Sequence, residues 1–143
     1  MLKALATLGA KASKNDVELM IWEVDDDIDG FVSEKEFEKM YKRCTRMVES
    51  GLEPRKLFNL VVFLMYDKEC RGKVTVEDTL QILYVRYGRN KLDEEIRAIF
   101  GDMEKTLEGN EKAITYPEYL KKIRKRAMEE RRERKMLMKA NYH

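Results

Sequence analysis

Between Asp25 and Glu36 the chain reads D-D-D-I-D-G-F-V-S-E-K-E. Carboxylates stand at the first, third, fifth and twelfth positions, glycine at the sixth and serine at the ninth. Oxygen donors at alternate positions of a short loop suit a hard cation, and Ca²⁺ takes roughly six to eight oxygens at about 2.3–2.6 Å. Asp25, Asp27 and Asp29 would supply short carboxylates as the chain wraps the ion. Gly30 would make the sharp turn, where a Cβ is costly. Phe31 would offer its backbone carbonyl and Ser33 would act through a water. Glu36 has the extra methylene needed to reach back with both oxygens. Val32 would not touch the ion but would form a short β-bridge to a partner loop.

Two helices must hold such a loop. Upstream, Ser13 with Asp16 three residues on forms a capping-box start. Val17, Met20, Ile21 and Val24 then recur at helical spacing and deliver Asp25. Downstream, Phe37, Met40 and Tyr41 mark the buried face of a second helix. Helix, twelve-residue loop and helix together resemble an EF-hand. The run L-G-A-K-A-S-K-N-D-V-E-L-M-I-W-E-V-D is similar, without a gap, to the stretch leading into the second hand of the calmodulin and troponin C family. Residues 2–8 place Leu2, Leu5 and Leu8 on one face before Gly9. The resemblance implies that they are the exit helix of a first hand whose loop is missing. The alternative is a short packing helix.

Residues 42–53 read as a basic, then flexible, connector, with Pro54 suited to the first turn of the next helix. That helix carries Leu57, Leu60, Val61, Phe63, Leu64 and Tyr66. It leads to a second loop, Asp67 to Asp78, reading D-K-E-C-R-G-K-V-T-V-E-D. Gly72 and Val74 keep the register, but Arg71 puts a cation at position five and Asp78 is one methylene short at position twelve. A fixed guanidinium opposes a divalent ion at close range, so this loop is expected to keep its shape without metal. The next helix carries Leu80, Ile82, Leu83, Val85 and Tyr87, with Gly88 as its stop. K-L-D-E-E-I-R-A-I-F then resembles the entering helix of the family's fourth hand. After it the pattern degrades. Ile114 and Glu118 fit positions eight and twelve, but position one falls on Leu107 and position six on Lys112. Asp102, Glu104, Glu108 and Glu111 could hold an ion only by another geometry.

Charge is unevenly spread. Residues 121–139 hold ten Lys/Arg against three Glu, whereas the whole chain of 143 residues is only +2. The rest of the chain is therefore acidic, and the tail reads as a continued exit helix, free of breakers. Such an arm suits an acidic surface or the groove of a neighbouring calmodulin-like chain. The apolar and charged fractions, 43% and 39%, with nine Met and two Pro, suit a helical protein. Cys44 and Cys70 make no metal spacing and read as reduced thiols. No stretch approaches the ~18 apolar residues of a membrane span, and a soluble, intracellular chain is expected. The sole histidine is His143. There is no phosphate-cradling loop, nucleophile elbow or zinc pattern, so neither an enzyme nor a nucleic-acid reader is expected.

The expected fold is all-α. An N-terminal lobe (1–50) would hold the intact hand, a second lobe (54–120) two degenerate hands, and residues 121–143 a basic helical tail. One Ca²⁺ site is expected, on Asp25, Asp27, Asp29, Phe31, Ser33 and Glu36, with loop 67–78 empty. Hands normally pair through position eight, so the intact hand has lost its partner, and Trp22 lies off the inward face. Those features point to a regulatory or structural light-chain-like subunit on a larger protein partner. A free calcium sensor opening a groove around Met20, Met40 and Met65 is the alternative, and a buffer comes third. The runs M-I-W-E-V-D-D-D-I-D-G-F-V and E-P-R-K-L-F-N-L-V-V-F-L-M-Y-D are also similar to EF-hand proteins of ciliary and flagellar axonemes. That likeness implies a cytoplasmic, axonemal setting in which acidic tubulin would receive residues 121–139.

Overall fold

A hydroxyl followed three residues later by a carboxylate starts several helices of this chain. Ser13–Asp16 and Thr75–Asp78 form reciprocal capping boxes, as do Thr115–Glu118 and Ser33–Glu36. Each box satisfies two orphan donors at the first turn. A computed structural model describes residues 1–46, 55–102, 109 and 111–142. The elements are α1 (Leu2–Thr7), α2 (Lys14–Trp22), α3 (Glu34–Arg46), α4 (Lys56–Tyr66), β1 (Lys73–Thr75), α5 (Val76–Tyr87), α6 (Arg89–Phe100), β2 (Ala113–Thr115) and α7 (Tyr116–Asn141). The fold is all-α, with one very small sheet.

That sheet joins the second and third hands. β1 and β2 are antiparallel, and Val74 pairs with Ile114, position eight against position eight. Both side chains are buried. Beneath them Phe63 on α4 packs against Tyr116 and Tyr119 of α7 at ring-centroid distances of 5.3 and 5.5 Å. Phe100 and Leu83 complete this part of the core. Each such side chain, fully removed from water, contributes about 1.5–3 kcal/mol. Leu5, Leu8, Val17, Met20, Val24, Met40 and Cys44 form the other end of the same connected cluster. No helix among the described residues is long and apolar enough to cross a membrane.

Several details depart from the periodicity. Leu2, Leu64, Leu80 and Val85 are exposed, while Phe58 and Val62 are buried in their neighbourhood. Ile21, Phe37 and Tyr41 line the rim of the core instead of its centre. The helix α3 continues through Arg46, into the segment expected to be a connector; the run K-R-C-T-R holds no breaker, and Cys44 faces the core. Pro54 lies outside the described residues. The long final helix is as expected, 26 residues from Tyr116, with Met136, Leu137 and Met138 exposed near its end.

Candidate metal centre

The first two loops share one backbone. In the first, the Asp25 carboxylate accepts from the Asp29 and Gly30 N–H groups at 3.2 and 2.8 Å. In the second, Asp67 accepts from Arg71 and Gly72, each at 2.8 Å. Position one thus ties down positions five and six in both. The glycine at position six has φ +82° in the first loop and +76° in the second, a region that an L side chain rarely adopts. Position four is also left-handed in each, at Ile28 (φ 58°) and Cys70 (φ 54°).

What fills the two loops differs. In the first, one oxygen from each of Asp25, Asp27, Asp29 and Glu36 lies within 4.8 Å of the others. These are four of the six residues that the spacing selects. Ser33 Oγ accepts from the Glu36 N–H at 3.2 Å, so the ninth residue caps α3. The Phe31 N–H donates to Asp29, and its ring faces solvent. Glu36 is buried and accepts from the Ser33 N–H at 2.9 Å and the Asp26 N–H at 2.6 Å. Those bonds, from Ser33 first, outweigh burial and hold its carboxyl below the usual range. Asp27 is pushed above that range, chiefly by its shared hydrogen bond with Asp25, then by burial and the charges of Asp29 and Glu36. For Asp25, burial opposes ionisation, but donors led by the Gly30 N–H prevail and lower it.

Four carboxyl groups gathered this closely repel one another, and a divalent cation would remove that repulsion. The donors are all hard oxygens, supplied from positions one, three, five and twelve, which suits Ca²⁺. Lys39 lies 2.9 Å from Asp26, a residue of this turn that is not among the four.

In the second loop a guanidinium stands among the carboxylates. Arg71 Nη2 lies 3.3 Å from each oxygen of Asp78, and its Nε 3.5 Å from Glu69. Positions three and twelve are thereby bridged by the guanidinium of position five. Asp78 also caps α5, accepting from the Thr75 N–H at 2.8 Å. In the third hand Lys112 donates to the Phe100 carbonyl at 2.6 Å, closing the end of α6. Asp102 pairs with Arg97 at 3.5 Å; Glu104 and Glu108 lie outside the described residues. Two ties escaped sequence reasoning. One is Lys112 on α6. The other is Arg126 of α7, which grips buried Glu95 with both arms at 2.6 and 2.8 Å. A stripe on α7 at spacings of three and four (Tyr119, Ile123, Arg126, Glu130) was the available signal for the latter.

Comparison with known families agrees with this geometry. Two family models, each described as an EF-hand domain pair, match residues 1–44 and 59–124. No curated protein matches the chain. The first match takes in α1, α2 and the Asp25–Glu36 loop. The second takes in both members of the Val74–Ile114 pair. Together with the shared loop backbone and the position-eight bridge, they identify the chain as a member of the EF-hand superfamily of calcium-binding proteins.

Proposed function

We propose that the chain is a one-site calcium-binding subunit seated on a larger protein, in the manner of a regulatory or structural light chain. Asp25, Asp27, Asp29 and Glu36 would hold the ion by their side chains, Phe31 by its carbonyl and Ser33 through water. When bound, Ca²⁺ supplies charge neutralisation and a rigid loop. Glu36 then couples the loop to α3, because the oxygens that would serve the ion also accept from the Asp26 and Ser33 amides.

The observation that carries the subunit reading is an asymmetry of pairing. Hands two and three satisfy each other through Val74 and Ile114. Val32, at position eight of the intact loop, has no strand partner among the described residues. In the same hand Trp22 is 70% exposed, Phe31 73% and Ile28 81%. Apolar groups of that size at an unpaired hand favour cover by another protein. On this reading residues 1–50 form the calcium-sensitive joint, 54–120 a paired body and 121–143 a basic arm. The axonemal setting rests on the sequence resemblance, and an acidic microtubule surface is the counterpart that residues 121–139 would take. A free sensor is the second reading: Met20 and Met40 are buried and Met65 is exposed, and calcium-driven opening would have to uncover the first two.

Sedimentation of the isolated chain with Ca²⁺ tests the subunit reading. Self-association that Trp22→Ser reduces supports it. A monomer at every concentration contradicts it and favours the free sensor. Co-pelleting with microtubules, with and without residues 121–143, tests the arm; equal binding by both would discard it.

A further inference from the structure

Two surface grooves meet at Arg86. The first, of about 260 Å³, lies between α4, α5, α6 and α7, with Phe58, Tyr66 and Tyr119 in its lining. Its charged walls carry Arg55, Arg86, Lys122, Arg124, Arg126 and Arg131 against only Glu95 and Glu130. Both carboxylates already face Arg126, at 2.6 and 3.3 Å, so the balance of the walls is strongly cationic. The second groove, of about 620 Å³, is lined by Tyr41, Met65, Ile82 and Val85, and its charges are Lys68 and Arg86. Arg86 stacks over Phe58 at 4.8 Å and Tyr87 at 5.0 Å. Its Nε is buried with no hydrogen-bond partner among the described residues.

We propose that these grooves form one docking surface for an acidic amphipathic segment of a partner protein. Its apolar side chains would seat on the aromatic floor and its carboxylates on the cationic rim. This rests on the subunit reading above and names the chemistry of the partner. Charge complementarity selects that occupant. The chain's own distal tail, or that of a second copy, is basic and would be repelled. The first groove, about 260 Å³, falls below the roughly 300–1,000 Å³ of small-molecule sites and the second, about 620 Å³, within it; the two side by side suit successive anchoring side chains of a larger ligand. The concave apolar floor of the first gives a polyanion or a flat lipid surface nothing to fill it.

Fluorescence anisotropy on the full chain tests this, with a labelled helix-forming peptide carrying Leu and Phe on one face and Glu on the other. The peptide is expected to bind, and Lys122→Glu with Arg124→Glu to weaken it by roughly tenfold or more. Arg132→Glu with Lys135→Glu, the same charge change farther along α7, is expected to leave binding unchanged. Circular dichroism checks that both variants remain folded. Absence of binding, equal loss in the two variants, or equal binding of a peptide with Lys for Glu would overturn the proposal. So would preferential binding of phosphatidylserine vesicles, or a dimer of the chain that the Lys122/Arg124 variant dissolves. Failure here with Trp22-dependent self-association intact would remove the groove assignment alone, whereas a strict monomer that still binds the peptide would remove the light-chain reading.

Discussion

Arg71 Nη2 stands 3.3 Å from both carboxylate oxygens of Asp78, so the fifth residue of the second loop holds the twelfth directly. The loop keeps the glycine turn and the position-one bonds of its metal-ready neighbour. What sets the two loops apart is therefore two side chains on a shared backbone. Arg71→Asp combined with Asp78→Glu is expected to create a second Ca²⁺ site, raising the calorimetric stoichiometry from one to two. An unchanged stoichiometry would show that the backbone, not the charge, excludes the ion.

Ile28 sits at φ 58° with its side chain in solvent. A β-branched residue there is a backbone outlier that costs about 1–2 kcal/mol. Glycine relieves this but adds chain entropy to the unfolded state. Ile28→Gly is therefore expected to stabilise the metal-free protein by about 0.5–1 kcal/mol in urea unfolding. A loss of stability would mean that the isoleucine makes a contact worth more than its strain.

Arg126 and Glu95 are joined by two short hydrogen bonds across 31 residues of sequence. Removing the guanidinium leaves a buried carboxylate without its partner. Arg126 is itself part-exposed, so Arg126→Ala is expected to cost about 2 kcal/mol, less than the roughly 3–5 kcal/mol of a fully buried pair that is broken. Glu95→Gln in that background should recover part of the loss. Additive effects in the double-mutant cycle would contradict direct coupling.

Burial pushes the Tyr116 hydroxyl up to about 12 and raises Tyr66 and Tyr119 further. A phenol whose folded pKa exceeds its unfolded value near ~10 binds its proton more tightly when folded. Its contribution to stability is intact below about pH 10 and is lost as the pH rises through the folded value. Alkaline unfolding is thus expected to begin above about pH 10, with the phenolate absorbance of these tyrosines appearing together with loss of helicity. Their titration with helicity intact would contradict the packing described.

The intact loop was legible because its chemistry fixes residue types at positions one, three, five, six and twelve, and Asp25 to Glu36 meets them all. The hand pairing was legible at Val74 and Ile114, where position eight stays apolar even though the ligands around it are gone. Helix faces were less so. Leu64, Leu80 and Val85 satisfy helical spacing yet are exposed, because an apolar stripe defines a face more broadly than the neighbouring helices cover it. The end of α3 was misplaced because basic residues suggested a connector, while helix propensity and the burial of Cys44 carried the helix on. The Arg126–Glu95 tie joins two separate helices, so the stripe on α7 that includes Arg126 marks a face but does not name its partner on α6. The basic grooves became visible only once α4 to α7 were assembled.

The most direct test of the central claim is calorimetric titration of Ca²⁺ into the whole chain and into its Glu36→Gln variant. One site in the native chain, lost in the variant, is the predicted result. Two or more strong sites, or a site that survives Glu36→Gln, would contradict it.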